Sequence, residues 1–262
     1  MSQLEALLFD VDGTLADTER DGHRVAFNTA FANAGLDWHW SVELYRELLA
    51  VAGGKERIRH YIDRYQQDFK TADLDALIAE LHKHKTQLYR QLLAAGKIPF
   101  RPGAKRLLRQ AHAQGLKLGI VTTTAAENVY ALFEHALDSN AIGWFEVIAA
   151  GDVVAHKKPA PDIYHYALRK LALDADSCLA FEDSSNGLRA SLQAGVQTIV
   201  VVNDYTYDHD FDGALAVLDH FGEPEKSFTM IVGEVGKSRY LDVDLLRRWH
   251  AGASARPLHG TR

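Results

Sequence analysis

The chain has little of what would mark a secreted, membrane or nucleic-acid-binding protein. Of its 262 residues a single one is cysteine. Cys178 therefore cannot form an internal disulfide, and its position in an apolar run reads as a small core residue. No apolar stretch approaches the roughly 20 residues of a membrane span, and Met1 to Phe9 has neither a basic region nor a cleavage site. There is no Lys/Arg run, and the formal net charge is −6, which argues against a nucleic-acid or anionic-membrane surface. The 13 histidines are scattered, with no metal-ligand spacing beyond His82-x-His84, which reads as solvated on an exposed helix face. Repeats and low-complexity segments are absent. These absences lead to the expectation of a cytoplasmic monomer without nucleic-acid or membrane partners.

What is present starts with Asp10-Val11-Asp12-Gly13-Thr14, directly after the apolar run Leu4 to Phe9. Such a run reads as a buried strand, and the glycine lets the chain leave it sharply. Asp10 and Asp12 then lie at the carboxyl end of a central strand, where open α/β sheets hold their ligand crevice. Alternation along a strand puts residues two apart on the same side, and two carboxylates there repel unless a cation or a shared proton relieves them. A hard ion such as Mg²⁺, which takes carboxylate, water and phosphate oxygens, is the economical answer. A calcium loop fits poorly, because Thr14, Leu15 and Asp21 stand where an acidic or amide residue, a glycine and a glutamate belong. An ordinary strand-to-turn junction also remains open for this segment alone.

Three more polar clusters follow in order. Leu116 to Val121 reads as a strand ending in Thr122-Thr123-Thr124; Lys157-Lys158-Pro159 opens a helix; Cys178 to Phe181 reads as a strand ending in Glu182-Asp183-Ser184. Each alone is ordinary capping or surface charge, but one active site accounts for all of them. Together they resemble the haloacid-dehalogenase-like superfamily of phosphohydrolases. The resemblance implies Asp10 as nucleophile, Asp12 as general acid and base, Thr122 and Lys158 on the phosphoryl oxygens, and a Mg²⁺ shell of Asp10, the Asp12 backbone carbonyl, Glu182 and Asp183.

Between Asp17 and about Gly96 the pattern is helical, after which strand and helix alternate, the mark of a parallel sheet. The expected architecture is α/β: a Rossmann-like parallel core of residues 1–16 and 97–235 with helices on both faces. An all-helical cap of residues 17–96 is inserted into it, and residues 236–262 add a C-terminal helix and tail. Gly13 to Ala16 and Lys97 to Pro102 are the expected hinge strands. Gly53-Gly54-Lys55 lacks the pattern of a nucleotide loop but forms a helix start suited to an anion.

Asp17 to Arg24, Tyr45 to Leu49 and Gly53 to Arg57 look like the CbbY-type phosphatases of the Calvin cycle, relatives of the β-phosphoglucomutases. Ala149 to Ala155 and Phe181 to Ala190 agree. That likeness implies a sugar-phosphate substrate, xylulose 1,5-bisphosphate above all, with Glu19, His23, Arg46, Lys55 and Lys85 lining the cap side and Thr122, Thr123 and Lys158 the core side. A phosphomutase would use the same core residues, and a non-catalytic binding protein would have no need of the full set.

Overall fold

The computed structural model describes residues 3–51, 53–137, 140–234 and 238–254. Strand β1 (Ala6–Phe9) is buried throughout. A π-helical turn, Thr18–His23, runs directly into α1 (Arg24–Asn33), followed by α2 (Val42–Leu48), α3 (Gly54–Tyr65) and α4 (Leu74–Ala94). The chain continues with α5 (Ala104–Ala113), β2 (Lys117–Val121), α6 (Ala126–Ala136), β3 (Phe145–Ala149) and α7 (Asp162–Leu171). It ends with β4 (Cys178–Glu182), α8 (Ser185–Gln193), β5 (Gln197–Val201), β6 (Ala216–Leu218), β7 (Met230–Val232) and α9 (Val243–Ser254). Two compact units result, one of the residues up to Asp17 and from Pro99 onward, the other of Thr18–Ile98. Asp12 forms an isolated bridge with Ala16, and Ala16 with Phe100.

The larger unit is an α/β sheet in the order β3-β2-β1-β4-β5-β6-β7. Its pairings are parallel except at the edge, where β7 runs antiparallel to β6. Its central strands are apolar on both faces because both are covered. Ala6, Leu8, Cys178 and Ala180 pack toward α7 and α8, while Phe9 and Phe181 stack 4.7 Å apart on the other face. Cys178 is the buried core residue expected, and burial pushes its thiol up to about 12. Phe9 lies level with Ile120 on β2 and Phe181 on β4, so the next residues, Asp10 and Glu182, leave the sheet side by side. Glu182 meets the Tyr164 hydroxyl of α7, and Asp10 meets the Lys158 ammonium on the segment leading into that helix. Helix α9 is part of this unit: Leu241, Val243 and Leu246 are buried, and Leu241 donates its N–H to the Phe221 carbonyl at 2.8 Å. The expected tail at 255–262 lies outside the described residues.

The helical unit has an aromatic core. Phe27 and Phe31 of α1 pack against Trp40, at 4.6 and 4.9 Å between ring centroids, and Tyr61 of α3 meets Trp38 at 5.6 Å. The buried face of α4 is Ile78, Leu81, Lys85, Tyr89 and Leu93. That is a helical stripe with a lysine in its middle.

Arg101 ties the larger unit together where the chain returns to it. Its guanidinium is buried and donates to four carbonyls: Gly13 and Val201 from Nη1 at 2.5 and 2.9 Å, Val202 and Asp219 from Nη2 at 2.5 Å each. Asp17 lies 3.4 Å from its Nε. One planar fork thus joins the exits of β1, β5 and β6, a task for which a lysine is the wrong shape. Arg101→Met should cost about 3 kcal/mol or more, since it strands buried carbonyls, measured as a shift in the urea midpoint. A loss under about 1 kcal/mol would show that water replaces the fork.

Candidate active site

Asp10 stands one residue beyond β1, its N–H bound to the Phe181 carbonyl at 3.0 Å. Lys158, on the segment leading into α7, donates from Nζ to Asp10 Oδ1 and to the Val121 carbonyl, each at 2.8 Å. The same ammonium lies 2.7 Å from Glu182 Oε1. Thr14 donates to Asp10 Oδ2 at 3.2 Å, and the Tyr164 hydroxyl, on α7, donates to Glu182 Oε1. Asp183 accepts from Asn203 Nδ2 at 2.7 Å. Asp10, Glu182 and Asp183 are all buried, and each brings an oxygen within 4.8 Å of the others.

Two glycines make room for this cluster. Gly13 has φ 83, and a Cβ there would overlap the Asp183 carboxylate. A Cβ at Gly187 would overlap Glu182. Ser184 caps α8, accepting the Gly187 N–H at 3.3 Å. As N-cap it leaves Asp183 immediately before the helix start.

Burial pushes the Glu182 carboxyl up to about 7, and the Asp10 charge adds to this against Lys158 and Tyr164. Burial, Asp10 and Glu182 raise Asp183 as well. Burial opposes the Lys158 charge, but Asp10 and Glu182 outweigh it and hold the ammonium above the ordinary lysine range. The cluster therefore carries more negative charge than one ammonium balances. Its donors are all oxygens, and Glu182 and Asp183 are pressed toward protonation by burial first and by neighbouring carboxylates second. That donor set suits a hard divalent cation and is wrong for a thiolate- or imidazole-seeking metal.

The expected core residues mostly converge. Thr122 is buried at the end of β2, with its N–H on the Ala149 carbonyl at 2.9 Å and its Oγ1 accepting from Thr124 N at 3.3 Å. Thr123 is exposed in the following loop. Asp12 follows two residues after Asp10. Because β1 ends at Phe9, Asp12 sits in a turn closed by Gly13 N–H to Ala16 O at 2.8 Å. It is half-buried, and its carboxylate is not part of the three-carboxylate cluster. Strand alternation does not extend into a turn.

In the helical unit Glu19, His23 and Lys85 meet. Lys85 Nζ lies 2.8 Å from His23 Nδ1, and His23 stacks on Tyr89 at 3.8 Å. Burial pushes His23 down to about 4 and Lys85 down to about 8. Burial would raise Glu19, yet His23, the Tyr45 hydroxyl, Arg57 and Lys85 together hold it below its ordinary value. Tyr45 and Arg57 were not foreseen. Tyr45 OH donates to Glu19 Oε2 at 2.6 Å, and Arg57 Nη1 donates to Tyr45 OH at 3.0 Å. Arg57 also holds the Leu48 and Val51 carbonyls at 3.1 and 3.3 Å, fixing the loop before α3. The spacing of Tyr45 and Leu48 on one face of α2 was the available signal.

Arg46 is half-buried on α2, and Lys55 is exposed in the first turn of α3. The helix start at Gly53-Gly54 is present, but the Glu56 side chain folds back onto Gly53, so an anion already sits there. His82 corrects a further expectation: it is half-buried, lies close against Gly54 and is pushed down by burial.

The family model described as haloacid dehalogenase-like hydrolase matches residues 4–195. Plasmid protein CbbY of Cupriavidus necator is 44% identical over 95% of this chain and 98% of its own. The crystal structure of CbbY from Rhodobacter sphaeroides in complex with phosphate matches with a TM-score of 0.67 and 46% identity, covering 83% of this chain and 94% of that one. A mutant of that protein in complex with xylulose 1,5-bisphosphate matches with a TM-score of 0.67 and 45% identity over the same shares. The chain belongs to the haloacid dehalogenase-like hydrolases, as a phosphatase of the CbbY group. No helix among the described residues is long and apolar enough to cross a membrane.

The carboxyl shifts have a stability consequence with a definite sign. Glu182 at about 7 lies above its ordinary 4.5, so in chelator the folded protein retains a proton that the unfolded chain has released. Its stabilising contribution is therefore complete below about pH 4.5 and is lost as pH rises through about 7. Urea unfolding in chelator should show stability falling across that window, and Glu182→Gln should reduce the slope, leaving the part that Asp183 contributes. An unchanged slope in the variant would place the shifted proton elsewhere.

Proposed function

We propose that the chain is a Mg²⁺-dependent sugar-phosphate phosphatase whose substrate is xylulose 1,5-bisphosphate, working through a phosphoryl group carried on Asp10. The observation that carries this is the Asp10 carboxylate, buried and held by Lys158 and Thr14 beside two further carboxylates. The bisphosphate assignment draws on the CbbY mutant in complex with that compound.

An Asp10 oxygen attacks phosphorus, the bond to the sugar oxygen breaks, and Asp12 delivers a proton to that oxygen. In the second half Asp12 takes the proton from water, which attacks the aspartyl phosphate and frees Asp10. Lys158 faces the developing charge on the phosphoryl oxygens with its ammonium already oriented. Thr122 and the N–H groups of the loop after β2 bind the same oxygens, with Thr123 beside them. Mg²⁺ held by Asp10, Glu182, Asp183 and the Asp12 carbonyl would neutralise phosphoryl charge.

The helical unit serves as the cap that selects the substrate, with Glu19 and His23 for the sugar hydroxyls and Arg46, Lys55 and Lys85 for the second phosphate. A remote phosphate can contribute binding energy to the chemical step as well as to affinity.

Asp10→Asn should abolish phosphate release from xylulose 1,5-bisphosphate with the melting temperature preserved, and Asp12→Asn should lower it on the order of 10²–10⁴-fold. Substantial turnover by Asp10→Asn would refute the nucleophile. Phosphate release should stop in chelator and return with Mg²⁺ but not with Zn²⁺. A sugar phosphate isomerised without release of phosphate would identify a mutase instead.

Lys55 is exposed, so its replacement leaves the core intact. Lys55→Ala should lower kcat/KM for the bisphosphate far more than for p-nitrophenyl phosphate, which has no second phosphate. Equal losses on both substrates would remove Lys55 from specificity.

A further inference from the structure

We propose that Asn203 is a positioning residue that sets the rotation of the Asp183 carboxylate, holding one oxygen and leaving the other for the metal. The inference rests on the metal reading above.

Asn203 lies just past β5, in the loop at the carboxyl end of the sheet. Its carboxamide has one orientation consistent with its neighbours. Oδ1 accepts the Tyr205 N–H at 2.9 Å, closing the local turn that Asn favours. The Asn203 N–H is bound to Thr206 Oγ1 at 3.2 Å, which pins the same turn. With Oδ1 engaged in this way, Nδ2 points toward the cluster. It donates to Asp183 Oδ2 at 2.7 Å and to the Gly13 carbonyl at 3.3 Å.

The Gly13 carbonyl is itself held by Arg101 Nη1 at 2.5 Å. A Cβ on Gly13 would lie 2.6 Å from Asn203 Nδ2 and would overlap Asp183 Oδ2. Amide and carboxylate therefore lie flush against the Gly13 α-carbon and cannot swing past it. Asp183 is thus fixed by the turn after β1 on one side and the turn after β5 on the other.

The chemistry of the donor matters as much as its place. A cation here would bind Asp183 and compete with the metal. A neutral amide satisfies one oxygen and leaves the charge of the carboxylate for the ion. Losing a partner that orients a metal ligand in this way typically costs about 10- to 100-fold in metal affinity. The loop would otherwise need only a turn-forming residue, for which serine or aspartate would serve.

The test is Mg²⁺ binding to the full chain by isothermal titration calorimetry, parent against Asn203→Ser. Serine keeps an oxygen that can accept the Tyr205 N–H but is too short to reach Asp183. The affinity for Mg²⁺ should fall by roughly 10- to 100-fold, with kcat for phosphate release largely restored at saturating Mg²⁺. Asn203→Thr, whose hydroxyl can close the same turn, replaces the serine variant if that variant does not melt cooperatively. An affinity within about twofold of the parent, with or without a lower melting temperature, would overturn the proposal and leave the metal reading standing. A parent that binds no Mg²⁺ would overturn both.

Discussion

Three carboxylates buried within 4.8 Å of one another set the terms for the whole site. At an effective dielectric constant of about 20, each ionised pair at that separation repels by about 3 kcal/mol. Lys158 meets two of the three, at 2.8 and 2.7 Å, where attraction on the same scale is about 6 kcal/mol per pair. One ammonium therefore offsets the mutual repulsion but leaves two negative charges in a dry place. Burial first, and then that residue of charge, makes Glu182 and Asp183 lean toward protonation, and the charge is why the cluster suits a divalent cation. The ammonium is fixed as well as charged, since the Val121 carbonyl takes a third hydrogen bond from it. A catalytic charge that is already oriented loses nothing to reorganisation when the reaction needs it.

The sheet exists, in functional terms, to bring these groups to one level. Parallel pairing of β1 with β2 and β4 aligns Phe9, Ile120 and Phe181, so Asp10, Val121 and Glu182 emerge together. A register slip of one residue on β4 would turn Glu182 to the opposite face. Stacked Phe9 and Phe181 resist that slip from the other side of the sheet. Gly13 and Gly187 are small because carboxylates occupy the space their side chains would fill. Arg101 and Asn203 then fasten the turns that lead away from β1, β5 and β6. Stability and function meet in these residues, since loosening a turn also loosens a ligand.

Much of the core was legible in the sequence because its signals are local. Apolar runs ending in polar clusters marked β1, β2 and β4, and the order of the clusters marked the family. The strand pattern is a local signal too, and it stops where the strand stops. The period of two holds only along a strand, and β1 stops at Phe9, before either aspartate. What stayed hidden depends on distant chain meeting. Asn203 is 190 positions from Gly13, and Arg101 is 118 from Asp219. In sequence they are an ordinary loop amide and a lone arginine. On α4 the buried stripe of Ile78, Leu81 and Leu93 also takes in Lys85 and Tyr89. A lysine enters such a stripe only because His23 accepts its hydrogen bond and the Phe27 ring lies 4.7 Å from its Nζ. Neither partner is visible from α4 alone.

The helical unit carries its own charge set, in which Glu19 holds Tyr45, Arg57 and the His23–Lys85 pair in one network. Its lysine near 8 and its histidine near 4 are products of burial. The proposed chemistry turns on the identity of the attacking atom. The direct measurement is to quench the enzyme with acid during turnover of xylulose 1,5-bisphosphate and to map the phosphorylated peptide by mass spectrometry. A phosphoryl group on Asp10, appearing before free phosphate and disappearing as substrate is exhausted, is the result predicted. Phosphate released with no phosphorylated peptide at any time, or with the group on another residue, would contradict it.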